Sequence, residues 1–314
     1  MKKLMLLTEL IFASASVFGM INERNIYSQE LTKKEATNQL WSELRKEEKN
    51  VEKIKELINC GADFNDFWSW DNGANGKTPF IWAIEEGCQE VVEYMIQHGA
   101  DVNSTAPCGD RDLPIMLAAI GNRNTELIKL FLKYGADTSL TNNKGKTLIM
   151  YAAEYRNIEV LKILFGENDC DVIISQLFYK NSMVDEIKNQ LLINATDQNK
   201  KTALMFASQN FGQNDHGITA KFLIEKGAKV NVQDKYGNTP LIFALQSNPE
   251  YETIKYMLKV GADPNAKNKF GSTPLSTARN RLDDRKPWET EEQTAARKEE
   301  IKRIIKLLKK YGAK

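Results

Sequence analysis

Two short punctuation marks recur along this chain, and together they constrain what it can fold into. The first is a helix start. At Thr239-Pro240, Thr is placed to cap a helix and Pro takes the first helical position, where its missing N–H leaves nothing unsatisfied. Equivalent positions are Pro79, Pro114, Leu148, Ala203, Pro240 and Pro274, spaced by 35, 34, 55, 37 and 34 residues. The second mark is a helix stop, a Gly-Ala pair at Gly61, Gly99, Gly135, Gly227, Gly261 and Gly312, with Gly as C-cap. Between the marks of the reference unit lie the apolar runs LIFAL and TIKYML. Two short helices and a turn cannot bury an apolar face alone; stacked copies can.

The reference unit, Asp234 to Asp263, resembles an ankyrin repeat, a turn plus two antiparallel helices of about 33 residues. The family's D-x-x-G-x-T-P-L-H-x-A-A pattern can be laid on GKTPFIWAI from Gly76, DLPIMLAA around Pro114, GKTLIMYAA from Gly145, KKTALMFAS from Lys200 and GSTPLSTAR from Gly271. The resemblance covers residues 32–314. It implies an all-α fold, an ankyrin-repeat solenoid of about seven helix-turn-helix units with short hairpin-like turns. The family's His is replaced by Ile81, Met116, Met150, Met205, Ile242 and Ser276, so apolar packing is expected there. The first unit reads as a divergent cap, with Ala36, Leu40, Trp41 and Leu44 on one helix and Val51, Ile54, Leu57 and Ile58 on the next.

The resemblance implies a protein–protein recognition module, rigid and preformed, acting as scaffold or inhibitor. Partners of such arrays meet the concave face, built of turn tips and the exposed side of each first helix. Carried over by position, the tips are Asp110, Arg111, Asn143, Lys144, Lys200, Lys235, Tyr236, Lys269 and Phe270. The helix-one residues are Glu85, Glu86, Glu154, Tyr155, Gln209, Asn210 and Gln246.

Insertions near 66–75, 166–193 and 281–298 break the period. The first carries Phe67, Trp68 and Trp70 where polar tip residues belong. It reads either as a binding finger or as a lid folded over the N-terminal cap. The second holds apolar residues from Val172 to Leu191 and a helix from Ser182 to Leu192, expected to pack on the array or on a partner. The third leads into a helix with the stripe Ile301, Ile304, Ile305 and Leu308. From Arg279 to Lys314 there are 12 basic and 7 acidic residues, net +5. That stretch reads as a solvated cap, or as a basic patch for an acidic partner.

Ahead of the array, Lys2-Lys3 precedes an apolar run with small residues at Ala13-Ser14-Ala15, the layout of a secretory signal over 1–20, followed by a linker over 21–31. That layout points to a periplasmic or secreted protein, with a cytoplasmic one as the alternative. The run is too short and interrupted for a stable membrane span.

Lys plus Arg number 43 against 42 Asp plus Glu, a net charge of +1. This balance argues against nucleic acid gripped along the whole length, and leaves the Lys-bearing turns as the alternative route to nucleic acid or an acidic partner. Cys60 and Cys88 fall about 12 Å apart by helical rise, beyond the ~7 Å reach of a disulfide. Cys108 and Cys170 share no metal spacing, so all four cysteines read as free thiols. There is no phosphate loop, HExxH or G-x-S-x-G. His98 reads as a helix-end residue, and Asp215-His216 lacks a nucleophile. No cofactor, metal or small-molecule substrate is implied; an enzyme with an unrecognised carboxylate site is the remaining alternative.

Overall fold

The structure, a computed structural model, describes residues 33–65, 77–108, 111–114, 116, 119–120, 124–167, 191–209, 217–247, 249–282 and 290–314. The signal-like segment, the linker, Phe67, Trp68, Trp70, Asp110, Cys170, Asn210, Asp215-His216 and most of the 166–193 insertion lie outside the described residues.

The chain divides into two compact units, Met1–Asp101 and Val102–Lys314. In the first, α1 (33–44) and α2 (Val51–Asn59) form one helix pair and α3 (Pro79–Glu85) and α4 (Gln89–Gln97) the next. Leu40, Trp41, Leu44, Ile54, Phe80, Ile84, Val92 and Met95 make its core, each almost free of solvent. Trp82 meets Trp41 edge-on at 6.2 Å, and its indole N–H donates to the Leu44 carbonyl at 3.2 Å. Glu43 is buried and accepts from Lys46 Nζ at 2.5 Å and from the Asn50 N–H at 3.1 Å. That places its carboxylate at the bend between α1 and α2.

The second unit opens with a hairpin, β1 (Thr105–Cys108) and β2 (Arg111–Pro114), antiparallel with Thr105 opposite Pro114 and Cys108 opposite Arg111. It is the only sheet among the described residues. The sequence alignment made Pro114 a helix-initiating residue and the stretch around Arg111 a loop tip. The structure corrects the first: the longer loop lets the chain pair with itself, and Pro114, lacking an N–H, closes a strand end, while Arg111, opposite Cys108, stays at the tip end of the hairpin.

Then come α5 (Thr125–Lys133) and four helix pairs: α6 (Leu148–Glu154) with α7 (Ile158–Leu164); α8 (Ala203–Ser208) with α9 (Ile218–Glu225); α10 (Pro240–Gln246) with α11 (Tyr251–Lys259); and α12 (Pro274–Asn280) with α13 (Glu291–Lys310). The first helices stack in order, α6 on α8, α8 on α10, α10 on α12. The starts are Thr caps. Thr78, Thr147, Thr239 and Thr273 each accept from the N–H three residues on, at 3.2–3.3 Å. Asn50, Asn124 and Asn157 do the same for α2, α5 and α7. Ile81, Met116, Met150, Met205 and Ile242 are all buried where the family carries His. Ser276 instead completes a capping box, accepting from the Thr273 N–H at 2.8 Å. On α13 the buried stripe is Ile301, Ile304, Leu307 and Leu308, so Leu307 takes the place expected for Ile305.

Candidate binding face at the turn tips

The turn tips of the second unit are built by one device used four times. Asn142, Asp197, Asp234 and Asn268 are all buried. The Oδ1 of each accepts the N–H of the residues two and four ahead, at 2.7–3.0 Å. Its own N–H donates to the carbonyl four residues on. The residue three ahead donates back to its carbonyl and has positive φ: Gly145, Lys200, Gly237 and Gly271, with φ of 72, 58, 81 and 80. Asn238 and Asn268 add a buried contact between neighbouring tips, at 2.8 Å.

The tips are then joined to one another. The Gln198 N–H donates to the Lys144 carbonyl at 2.9 Å, Lys235 to Asn199 at 2.8 Å, and Lys269 to Tyr236 at 2.9 Å. Gln198 Nε2 also donates to the Asn143 carbonyl at 2.6 Å. Three residues before Asp197, Asp234 and Asn268 a second, asparagine ladder operates. Asn194, Asn231 and Asn265 each donate to the carbonyl of the next closing glycine, Gly227, Gly261 and Gly312. Each also accepts the N–H two residues past that glycine. Held by the clamps and by this ladder, the tips form a preorganised surface.

What they present is cationic and aromatic. Asn143, Lys144, Lys200, Lys235, Tyr236, Lys269 and Phe270 are exposed and lie on consecutive tips. Phe270 is 74% exposed, its ring stacked against Tyr236 at 6.1 Å, with Lys235 Nζ 4.8 Å from the Tyr236 ring. The only carboxylates on these four tips, Asp197 and Asp234, are buried in the clamps.

Behind the tips, lysines and rings alternate. Lys146 Nζ lies 4.3 Å from both the Tyr151 and Phe206 rings and is paired with Glu154. Burial pushes the Lys146 ammonium below its ordinary pKa, against the opposing pull of Glu154. Lys201 Nζ lies 5.5 Å from Phe206 and 4.9 Å from Phe243.

The predicted helix-one residues divide. Glu154 faces Lys146, and Tyr155 is exposed with its ring 6.4 Å from Tyr151. The Gln209 carbonyl accepts from Arg156 at 3.0 Å, and Gln246 is exposed. Glu85 and Glu86 belong to the first unit, where they pair with Lys77 at 2.6 Å and Lys49 at 3.2 Å. Arg111 stands in β2. His98 stacks on Tyr94 at 4.1 Å with Nδ1 2.8 Å from the Tyr94 carbonyl, a helix-end contact. Cys60 and Cys88 are free thiols, and burial raises that of Cys88. Among the described residues, no cluster of His, Cys, Asp or Glu could hold a metal ion, and no helix is long and apolar enough to cross a membrane.

Sequence reasoning counted Lys146 and Lys201 among the Lys-bearing turns but missed their packing on aromatic rings, and it missed the clamp residues. A signal was present: an Asx stands three residues before each of Gly145, Lys200, Gly237 and Gly271, and an Asn recurs four residues after several of the Gly-Ala glycines.

A family model described as ankyrin repeats matches in three copies, over residues 44–106, 106–176 and 177–280. The chain is 29% identical over 188 residues to protein lin-12 of Caenorhabditis elegans, covering 55% of this chain and 12% of lin-12. It is 32% identical over 165 residues to a putative ankyrin repeat protein of fowlpox virus, FPV115, covering 52% of this chain and 24% of the viral protein. The chain thus spans at most about a quarter of these relatives' length. Among solved structures, an ankyrin repeat domain from Acinetobacter baumannii AYE superposes with a TM-score of 0.54 at 22% identity. The match covers 75% of this chain and 98% of that one, and shows the fold.

Proposed function

Because the chain belongs to the ankyrin-repeat family, whose repeats are protein–protein interaction modules, we propose that it recognises a protein partner through its tips and helix-one faces, as scaffold or inhibitor. The observation that carries this is the Tyr236–Phe270 pair: two stacked, exposed rings on tips tied together through the backbone. Large exposed aromatics on a rigid frame are what interface anchors require, and such surfaces bind with little change of shape. Lys144, Lys200, Lys235 and Lys269 surround them with positive charge. Asp110, Arg111, Asn143, Glu154, Tyr155 and Gln209 are further candidates in the second unit; in the first unit, taken by itself, Glu85 is a candidate, with Phe67, Trp68 and Trp70 as an aromatic addition peculiar to this chain.

The reading is of a binding protein, not a catalyst. The phosphocholine transferase AnkX of Legionella pneumophila matches over 61% of this chain but 20% of its own length, so its named activity is not carried across. The signal-like start supports export to the periplasm or medium, which cell fractionation tests. The binding reading is tested by affinity capture with the full chain beside a Tyr236→Ala/Phe270→Ala variant. A protein retained by the first and released by the second supports it. Equal retention by both refutes the tips as the binding surface.

A further inference from the structure

The internal repetition of the array shows what one lysine lacks. In the second repeat, Lys77 precedes the capping Thr78. Trp82 follows the lysine by five residues and Glu85 by eight. Lys77 Nζ lies 5.5 Å from the Trp82 ring and 2.6 Å from the Glu85 carboxylate. The fourth repeat copies the arrangement with Lys146, Tyr151 and Glu154. In both, the ammonium rests on a ring and a carboxylate closes it.

The fifth repeat has Lys201 and Phe206 in register, but the eighth residue is Gln209, which carries no charge. Helix α8 also ends at Ser208, and Gln209 leaves the helical path with φ −80 and ψ 105. Lys201 Nζ is held between Phe206 and Phe243, and among the described residues it has no carboxylate within ion-pair distance. A half-buried ammonium on two aromatic faces is partly desolvated, so a carboxylate reaching it from outside binds more strongly than at an open surface.

We propose that Lys201 is the anchor for a carboxylate side chain of an acidic protein segment lying along the tips. The inference rests on the protein-binding reading above and names the partner's chemistry. Charge complementarity supports it: Lys144, Lys200, Lys235 and Lys269 flank the anchor, and the four tips expose no acid. Stacked helices stand about 10 Å apart and an extended chain rises about 3.3 Å per residue. An acidic residue at roughly every third position therefore keeps step with the lysine row. A carboxylate on a flexible stem reaches a recessed ammonium; a phosphate fixed in a nucleic-acid backbone does not, and the tips carry no arginine.

The test is fluorescence polarisation with the full chain at low salt. The probes are a labelled peptide of Glu-Gly-Gly repeats, its Gln-Gly-Gly counterpart and an oligothymidylate. The Glu peptide is expected to bind and the Gln peptide not. Lys201→Gln should weaken the Glu peptide about tenfold or more, whereas Lys259→Gln, exposed on α11, should leave it unchanged. Lys201→Met, which keeps the apolar stem on the rings, guards against a folding defect and should show the same loss. Equal affinity for wild type and both Lys201 variants overturns the proposal, as does an equal loss at Lys259. Tighter, Lys201-dependent binding of the oligothymidylate overturns it in favour of nucleic acid. A captured protein that depends on Phe270 but not on Lys201 removes this inference and leaves the broader reading standing.

Discussion

Replacing Asp234 by Ala should strip one tip of its internal frame. The carboxylate accepts the Asn238 N–H at 2.7 Å and the Tyr236 N–H at 2.9 Å, and Asn238 Nδ2 at 3.3 Å. Asp234 is 4% exposed and Asn238 7%, so the Asn238 N–H loses its partner where water enters poorly. Tyr236 is exposed and its N–H can be rehydrated. Hydrogen bonds to a charged group contribute about 1.5–3 kcal/mol each. Counting the Asn238 bond in full and the Tyr236 bond at its low end gives a loss of about 3–4.5 kcal/mol. Asp234→Asn keeps an Oδ1 acceptor, as Asn142 and Asn268 already do in the neighbouring tips, and should lose less than about 1 kcal/mol. Urea unfolding followed by circular dichroism measures both. An Ala variant within about 0.5 kcal/mol of wild type, or an Asn variant as damaged as the Ala one, refutes the clamp as a source of stability.

Gly237→Ala should lose about 1–2 kcal/mol. Its φ is +81, and a Cβ there would stand 3.1 Å from the backbone of Asn268 and Lys269. Lys200 occupies the same tip position with φ +58, so Lys200→Gly should gain between zero and about 1 kcal/mol; a clear loss contradicts the backbone argument. The hydrogen bond from Lys46 holds the Glu43 carboxyl below the usual glutamate range. A folded-state pKa below the unfolded one gives stability that is complete above the unfolded value and lost as pH falls through the folded one. The stability difference between wild type and Glu43→Gln should therefore shrink in acid. A pH-independent difference in melting rules that out. Phe270→Ala, at 74% exposure, should leave unfolding within about 0.5 kcal/mol of wild type while weakening the partner.

The repeating architecture was legible because its marks act locally. Thr239 caps its own helix three residues on, and Gly261, with φ +97, ends its own second helix; neither depends on what the next unit does. The exposure of Phe270 and Lys200 followed from the same register. The ladders were less visible because their partners stand in other repeats. Asn231 reads as a loop residue until Gly261 and Asp263, thirty or more positions away, are seen to take both ends of its amide. Lys201 reads as a solvated charge until Phe243 arrives from the next helix one. The hairpin at Thr105–Pro114 was hidden for a different reason: Pro114 imitates the Thr-Pro start, and pairing between Cys108 and Arg111 leaves no periodic trace over four residues.

Photo-crosslinking tests the binding face most directly. A benzoylphenylalanine replacing Phe270 places the reactive group on the tips; one replacing Lys259 places it on the exposed side of α11. Both chains are expressed in full, irradiated in the producing cells and recovered under denaturing conditions. The account predicts a discrete protein adduct from position 270 that position 259 does not form. An adduct from 259 alone, or the same adducts from both, would place recognition somewhere other than the tips.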